Sequence, residues 1–274
     1  MAIQEIKVLA PAKINLHLAV GMPMDDGYHP ISSIFQKISL ADEITMTFDP
    51  NSRRSQTKVT GLEKYVKKGK STIDKAIELW RLFTGCKANI TVDVKKNIPV
   101  QSGLGGGSSD AATVLIVLNQ LTEGKKAHLT ENELLQLGRI IGCDVPFFLF
   151  NCDAATVFGL GERVYPIEAR HDLRGYIIQA KGEKVSTKVA YEALNQRKVI
   201  QLLERRDYLT AEYYKPFTQW GFRNDFELVN NRPEIEVRSD ERLFLTGSGS
   251  AWVLLTDREN LELPSNYISQ KIIL

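Results

Sequence analysis

A glycine-rich loop followed by an apolar helical pattern constrains the fold of this chain more than any other feature. Four glycines fall within the five positions 103–107. Apolar residues then recur at helical spacing, as at Ala111, Leu118 and Leu121. Because Ser and Asp favour helix N-caps, residues 108–110 (Ser, Ser, Asp) are predicted to start this helix. The sequence therefore predicts a loop that leads directly into a helix N-terminus.

A helix N-terminus behind several glycines is typical of a polyphosphate-binding site. The first N–H groups of a helix have no intrahelical partner, and the helix dipole adds partial positive charge there. Glycines let a phosphate approach the backbone closely and permit positive φ angles. A flexible glycine linker is the alternative, but a linker does not run into a capped apolar helix. We therefore interpret the segment as a phosphate loop.

The spacing of the loop excludes two other phosphate-binding motifs. A Walker A loop requires Lys directly after its last glycine, where Ser108 stands. The dinucleotide fingerprint requires a third glycine three positions after Gly105, which is again Ser108. The segment from Pro99 instead resembles the Pro-x-x-x-Gly-Leu-Gly-Gly-Gly-Ser-Ser loop of the GHMP kinases. The resemblance implies ATP binding by Pro99, Val100, Gln101, Ser102, Gly103, Leu104, Gly105, Gly106, Gly107, Ser108 and Ser109.

Four positions on the nucleotide side depart from the pattern of that family. Gln101 and Ser102 replace residues that are commonly glycine or alanine in the loop. Ser71 and Thr72 begin a helix predicted over residues 71–83, and they replace an Asn-Leu pair that lies on the adenine side in the family. The ATP assignment therefore depends on the intact Gly-Leu-Gly-Gly-Gly-Ser-Ser core.

Two further segments resemble the first and third motifs of the GHMP kinases. Lys13 and Asn15 alternate with apolar residues and share one face of a predicted strand. By itself this face is consistent with a solvated strand, but the resemblance implies that Lys13 is catalytic and that Asn15 binds substrate. Around Gly247, the sequence predicts strand, glycine turn and strand, which a tight hairpin also explains. In the family this turn closes over the active site.

An Asp-Gly-Tyr-His segment at residues 26–29 narrows the resemblance to one branch of the family. Asp-Gly predicts a turn, from which Tyr28 and His29 project. The segment resembles the cytosine-binding motif of the diphosphocytidyl-methylerythritol kinases, although a surface pair would also fit. Thr187 and Tyr191 open a predicted helix and resemble the opposite side of that site more loosely, without the flanking prolines. The resemblance implies substrate binding by all four, with Tyr28 and Tyr191 stacking on cytosine; a core position for Tyr191 is the alternative.

A carboxylate after a predicted helix is the candidate general base. Thr130 and Glu133 form a capping-box pattern, which predicts a helix over residues 131–141. Asp144 follows, and the proline after Val145 predicts an extended backbone at Val145, so that Asp144 stands on a rigid corner. A helix cap is the alternative role. The resemblance to the Asp-Val-Pro segment of the family implies that Asp144 lies at the phosphoryl acceptor and is catalytic.

Composition excludes several other classes of protein. The net charge of +2 is too small to indicate a nucleic-acid-binding protein, and no apolar run is long enough to span a membrane. The first ten residues contain no signal-peptide pattern. Three cysteines lack metal-ligand spacing and are predicted to be buried thiols in a reducing compartment. We therefore expect a cytoplasmic protein that binds small molecules, neither nucleic acid nor membrane.

The length of 274 residues fits one large or two small domains, with a transition near Cys152. The resemblance implies a two-lobed α+β fold. Its ribosomal-S5-like N-terminal lobe, residues 1–152, would bind ATP and carry catalysis, and its ferredoxin-like GHMP-kinase lobe would span residues 153–274. The implied reaction is ATP-dependent phosphorylation of the 2-hydroxyl of 4-diphosphocytidyl-2-C-methyl-D-erythritol in non-mevalonate isoprenoid biosynthesis. Mg²⁺ would bridge phosphate oxygens, with Ser108 or Ser109 as a ligand, and no acidic metal ligand is identified.

Two other functions fit parts of the same sequence. Another GHMP kinase, of the homoserine or mevalonate type, would share the phosphate loop, but the segment at residues 26–29 favours a cytidine substrate. A catalytically silent, ligand-sensing member of the fold would share the architecture. The presence of both Lys13 and Asp144 favours an active enzyme.

Overall fold

The computed structural model describes residues 3–52, 55–182, 186–197 and 203–274. The chain forms two compact units that alternate along the sequence. Unit 1 takes the residues up to Ala12, Leu40–Val100 and Gly105–Asn151, and unit 2 takes Lys13–Ser39, Gln101–Leu104 and Cys152–Leu274. The assignment of residues 1–152 and 153–274 to an ATP-binding lobe and a second lobe stays a prediction.

Two long strands, β1 (Gln4–Val20) and β2 (Ile31–Asp49), contribute residues to both units. In unit 1, residues 43–49 of β2 pair antiparallel with residues 89–95. Residues 90–93 of that strand also pair in parallel with residues 57–60. The remaining strands and helices of unit 1 are β3 (Thr57–Thr60), α1 (Thr72–Thr84), β4 (Asn89–Lys95), α2 (Gly106–Leu121), α3 (Glu131–Ile141) and α4 (Val145–Leu149).

The core of unit 1 includes the buried apolar face of α1, which contacts β2. Ile73, Ile77 and Trp80 are buried on this face, and the ring of Trp80 lies edge-on to Phe48 of β2 with centroids 6.5 Å apart. Ser71 caps the helix in a reciprocal capping box with Asp74. The predicted helix over residues 71–83 is therefore confirmed.

The predicted start of α2 is wrong by a few residues. The helix begins at Gly106, and its N-cap is Gly105 in a left-handed conformation with φ of 72° and no side-chain cap. The N–H groups of Ser108 and Ser109 already donate to the Gly105 carbonyl at 3.0 and 2.9 Å. The helix therefore starts from the left-handed backbone of Gly105, a conformation that glycine adopts freely, and no hydroxyl side chain caps it.

The segment around Asp144 gives one confirmed and one wrong prediction. The capping box of Thr130 and Glu133 is present and starts α3 as predicted. Val145 is not extended, since it is the first residue of α4. Proline is tolerated in a first helical turn because its missing N–H would have no intrahelical partner there. The prediction of three buried cysteines is also wrong, since Cys143 is exposed and Cys86 and Cys152 are only half-buried.

Unit 2 contains a hairpin and a four-stranded antiparallel sheet. The hairpin consists of β5 (Ala154–Gly159) and β6 (Arg163–Ile167), and β5 also pairs with residues 31–36 of β2. The sheet has the order β10-β7-β9-β8. Its strands and the helices of unit 2 are β7 (Arg174–Ala180), α5 (Thr187–Gln196), α6 (Arg206–Tyr213), β8 (Arg242–Leu245), β9 (Trp252–Leu255) and β10 (Tyr267–Ile273).

A mixed α+β architecture with two sheets is therefore confirmed. Within the described residues, no helix combines the length and apolar character that crossing a membrane requires.

Candidate active site

Lys13 is a buried ammonium on β1. Its side chain is only 3% exposed, so the strand face it occupies is not solvated. The Nζ atom donates a hydrogen bond to Oδ1 of Asn15 at 2.6 Å and lies 4.5 Å from the ring centroid of Phe35. A cation over an aromatic ring is stabilised by the ring quadrupole. The structure thus places Lys13 and Asn15 in direct contact, as a pair of buried polar groups.

The amide of Asn15 joins this pair to the glycine turn that follows β8. Its Oδ1 also accepts a hydrogen bond from the backbone N–H of Gly247 at 3.0 Å. Its Nδ2 donates to Oγ of Ser33 at 3.0 Å. Because hydrogen-bond donors converge on Oδ1 and the Ser33 hydroxyl accepts from Nδ2, the orientation of the amide is fixed. The first and third predicted motifs therefore meet at Asn15.

Residues 101–104 of the phosphate loop belong to unit 2, where backbone hydrogen bonds join them to β1 and to the glycine turn. The N–H of Lys13 donates to the Leu104 carbonyl at 3.0 Å, and the N–H of Ala251 donates to the Ser102 carbonyl at 3.2 Å. Gly103 has φ of 82°, and a Cβ there would lie 2.4 Å from the Thr246 carbonyl oxygen. This glycine is thus required by packing of the loop against the turn.

Residues 105–109, the other end of the loop, belong to unit 1. Thr72 donates from Oγ1 to the Gly107 carbonyl at 2.6 Å, which ties the start of α1 to the loop. A Cβ on Gly106 would lie 3.0 Å from Cγ2 of Ile98 and 3.2 Å from Nζ of Lys96. On the exposed Gly107 it would meet only the Thr72 hydroxyl, at 3.4 Å. Gly106 therefore serves internal packing, whereas Gly107 presents its backbone outward.

A buried charge cluster of Asp42, Lys96 and Asp110 lies beside this start of α2. Nζ of Lys96 donates to Asp42, and to Oδ2 of Asp110 at 3.0 Å. Burial, with Asp42 nearby, raises the pKa of Asp110 to about 7, although Lys96 works in the opposite direction. Burial also works to lower the pKa of Lys96, but the two carboxylates outweigh it and raise that pKa. The cluster therefore carries more carboxylate than ammonium in a poorly solvated place.

Two orphaned oxygen atoms at the same helix start bear on a magnesium site. Oγ of Ser109 and Oδ1 of Asp110 are buried and have no hydrogen-bond partner. Among the described residues there is no group of three His, Cys, Asp or Glu side chains that would cage a metal ion. Mg²⁺ typically keeps several waters and takes few protein oxygens beside substrate phosphates. A hydroxyl without a partner fits that kind of site.

Asp144 lies at the N-cap position of α4 and is half-buried, yet its side chain makes no capping hydrogen bond. The helix-cap alternative is therefore wrong. Nζ of Lys75 on α1 donates to the carbonyls of Ile140 and Ile141 at 2.5 and 3.2 Å. These bonds occupy carbonyls at the C-terminus of α3, which otherwise have no intrahelical donor. Lys75 thus holds the backbone that leads to Asp144.

His29 and Tyr191 form a ring pair in unit 2, with centroids 5.0 Å apart. Nδ1 of His29 lies 2.8 Å from the Gly21 carbonyl oxygen, which only accepts. In the neutral imidazole, the proton is therefore on Nδ1, and Nε2 carries a lone pair. His29 is 7% exposed, and its Nε2 is buried without a partner. Tyr28 is 58% exposed, so its ring is accessible.

Thr187 also lies beside the glycine turn. It is the first residue of α5, and its Oγ1 accepts a hydrogen bond from Oγ of Ser248 at 3.1 Å. Tyr191, one turn later, packs edge-on against Phe226 with centroids 4.9 Å apart. The predicted helix start is confirmed, and Tyr191 is only half-buried, so it is not a plain core residue.

The predicted site residues thus fall into two sets. Unit 1 carries Pro99, Val100, Gly105, Gly106, Gly107, Ser108, Ser109 and Asp144. Unit 2 carries Lys13, Asn15, Tyr28, His29, Gln101, Ser102, Gly103, Leu104, Thr187 and Tyr191. Their combination in one reaction stays a prediction.

Comparison with known proteins places the chain in a family. Residues 64–152 match the GHMP kinases N terminal domain. The chain is 38% identical over 264 residues to the 4-diphosphocytidyl-2-C-methyl-D-erythritol kinase of Thermosipho africanus, a match that covers 89% of this chain and 88% of the relative. The chain belongs to the 4-diphosphocytidyl-2-C-methyl-D-erythritol kinase family of GHMP kinases. Matches to two other relatives of that name cover 65% and 54% of their lengths.

Solved structures of GHMP kinases share the fold. A crystal structure of 4-(cytidine 5'-diphospho)-2C-methyl-D-erythritol kinase superposes with a TM-score of 0.71 at 26% identity, and the alignment covers 98% of this chain and 99% of that one. A mevalonate kinase from Methanococcus jannaschii, at 13% identity and a TM-score of 0.66, shares the fold alone.

Sequence reasoning about this GHMP kinase missed the buried cluster and Lys75. Asp110 was interpreted only as a helix cap, and Lys96 stands in a hydrophilic stretch before Pro99. A charged residue within an otherwise apolar helix pattern was the available signal for Asp110. Lys75 carried no such signal, because its acceptors lie 65 and 66 residues away in the chain.

Proposed function

We propose that this chain transfers the γ-phosphate of ATP to the 2-hydroxyl of 4-diphosphocytidyl-2-C-methyl-D-erythritol, in non-mevalonate isoprenoid biosynthesis. The observation that carries the substrate assignment is the buried, partnerless Nε2 of His29 beside the ring of Tyr191. Cytosine presents an amino donor at N4, where uracil and thymine present an oxygen acceptor. A buried acceptor without a partner therefore favours cytosine over uracil.

The cytidine end of the substrate is bound by an aromatic pair and a reader of the base edge. Tyr28 and Tyr191 stack on the two faces of the base, an interaction worth about 1–3 kcal/mol per base. His29 accepts from the amino group of cytosine. Thr187, tied to Ser248, borders the same substrate. The exposed ring of Tyr28 supports this arrangement, because it is accessible to a ligand.

Phosphoryl transfer requires alignment and charge stabilisation more than covalent chemistry. Asp144 accepts the proton of the acceptor hydroxyl as the general base. The Lys13 ammonium offsets the negative charge that spreads over the transferring group. Asn15 holds Lys13 and lies beside the acceptor. The burial of Lys13 supports its role, since electrostatic stabilisation is stronger where water is excluded.

The phosphates of ATP bind to backbone N–H groups of residues 103–107, because the N–H groups of Ser108 and Ser109 already donate to the Gly105 carbonyl. Gly107 supports this assignment, because its backbone faces outward at the start of α2. Mg²⁺, when bound, neutralises charge between phosphate oxygens. The Ser108 and Ser109 hydroxyls would hold it, and the partnerless Oγ of Ser109 fits that role. The proposal includes a cytoplasmic location, because the reaction consumes ATP.

ADP release with matched acceptors tests the proposed function. We expect release with 4-diphosphocytidyl-2-C-methyl-D-erythritol, and kcat/KM lower by about tenfold or more with its uridine counterpart, since the uracil oxygen would face the His29 lone pair. Homoserine and mevalonate serve as the other acceptors. Turnover with either of these in place of the cytidine substrate would contradict the substrate assignment, and no turnover with any acceptor would favour a silent binding protein.

Substitution of the proposed base tests the mechanism. Asp144→Asn should lower kcat by about 10²–10⁴-fold, the usual contribution of acid–base catalysis. ATP affinity, measured by calorimetry, should change little, because the phosphate loop is a separate segment. Near-normal turnover of Asp144→Asn would remove Asp144 from this role.

A further inference from the structure

Thr246 directs its hydroxyl at one residue of β1. It follows β8 directly, and its side chain is 0% exposed. Its Oγ1 accepts a hydrogen bond from the backbone N–H of Asn15 at 2.8 Å and donates to Oδ1 of Asn15 at 3.4 Å. Both hydrogen-bonding directions of the hydroxyl therefore serve Asn15.

The Asn15 oxygen is also the acceptor for Lys13. Nζ of Lys13 donates to it at 2.6 Å, and the N–H of Gly247 donates at 3.0 Å. Ser33 fixes the other end of the amide through its Oγ. The position of Oδ1 is thus set by Thr246 and Gly247 on one side and by Ser33 on the other.

The Lys13 ammonium depends on where that oxygen lies. In a buried site, a charged donor gains most from a short, well-aligned hydrogen bond. The Asn15 contact of Lys13 is such a bond, and the ring of Phe35 lies beside the same Nζ. A shift of the Asn15 amide would therefore carry the ammonium with it.

We propose that Thr246 is a positioning residue for phosphoryl transfer, whose hydroxyl sets the Asn15 amide and, through it, the Lys13 ammonium. Because Thr246 is fully buried, it acts through Asn15 and does not touch substrate. The inference rests on the proposed function, since it requires Lys13 to act on the transferring phosphate. It adds a buried residue of the glycine turn to the catalytic apparatus.

Paired substitutions at Thr246 give the first test. Thr246→Val keeps the shape but removes the hydroxyl, and it should lower kcat by about 10- to 100-fold, as small misplacements of catalytic groups do. KM for ATP should stay within about threefold, because the phosphates bind elsewhere. Thr246→Ser restores the hydroxyl and should recover most of kcat. Equal losses in both variants, or wild-type kcat in Thr246→Val, would overturn the inference.

A double-mutant cycle with Lys13→Met separates positioning from a structural role. If Thr246 acts through Lys13, Thr246→Val should lower the residual kcat of Lys13→Met by less than about twofold. Multiplied losses would mean that Thr246 acts elsewhere, which overturns this inference alone. Wild-type kcat in Lys13→Met would instead refute the catalytic role of Lys13 in the proposed function, and the inference would fall with it.

A second matched pair covers the case in which Thr246→Val does not fold. Thr246→Ala and Thr246→Ser differ by one oxygen atom, and both leave the same space where the methyl was. Thermal melting establishes that both are folded at the assay temperature. The serine variant should then exceed the alanine variant in kcat by about tenfold, and equal kcat values would contradict the inference.

Discussion

The buried cluster of Asp42, Lys96 and Asp110 should make stability depend on pH through Asp110. The pKa of Asp110 is raised from 3.8 to about 7, chiefly by burial. A carboxyl with a raised pKa binds its proton more tightly in the folded state than in the unfolded state. Its stabilising contribution is therefore complete below about pH 4 and is lost as the pH rises through about 7.

The size of the effect follows from the two pKa values. Between them, each pH unit removes about 1.4 kcal/mol from the free energy of unfolding. From about pH 5 to about pH 7, Asp110 should thus remove about 2 kcal/mol, since titration is half complete at the upper end. Asp110→Asn abolishes this titration, while an amide oxygen can still accept from Lys96.

Urea unfolding of both proteins across this range is the assay. Groups outside the cluster titrate alike in both, so the difference in unfolding free energy between wild type and Asp110→Asn reports the titration of the cluster. It should move by about 2 kcal/mol toward the variant as the pH rises from about 5 to about 7. Asp240→Asn, which removes an exposed carboxylate, is the control for loss of charge. A constant difference for Asp110→Asn would refute the uptake of a proton by the cluster.

Three further substitutions test the loop and its supports. Gly107→Ala has room for its Cβ and should raise Tm slightly, yet weaken ATP binding by about 10- to 100-fold in calorimetry; unchanged affinity would mean that the phosphates do not approach Gly107. Thr72→Val removes the bond to the Gly107 carbonyl and should raise KM for ATP about 3- to 10-fold with kcat intact, unlike Thr72→Ser. Lys75→Met should lower kcat about 3- to 10-fold without changing KM for ATP, and Lys75→Arg should recover kcat. A change in KM for ATP instead of kcat would mean that Lys75 does not position Asp144.

The sequence predicted best those features whose partners are close in the chain. The capping box of Thr130 and Glu133 involves residues three apart, and it is present as predicted. The start of α2 was misplaced because the left-handed Gly105 backbone, and no side chain, begins the helix. Side-chain preferences carry no information about such a backbone start, whereas the glycine that permits it is visible in the sequence.

Side chains whose hydrogen-bond partners lie far away in the chain could not be identified from local sequence patterns. Lys96 joins Asp42 and Asp110 across 54 and 14 residues, and no spacing rule connects them. Thr246 reaches Asn15 across 231 residues. The resemblance to GHMP kinases supplied the candidate residues, but it gave neither the tautomer of His29 nor the hydroxyl that orients Asn15. These depend on tertiary hydrogen bonds.

The alternation of the two units has a consequence for synthesis on the ribosome. The chain passes between the units five times, after residues 12, 39, 100, 104 and 151. Asn15 is synthesised early, but the N–H of Gly247, which donates a hydrogen bond to it, lies 232 residues later in the chain. At about 5–20 residues per second, the strand that carries Lys13 waits roughly 10–50 s for this partner. Completion of the Lys13 environment is therefore among the last events of synthesis, and a chain truncated before the glycine turn leaves the ribosome without it.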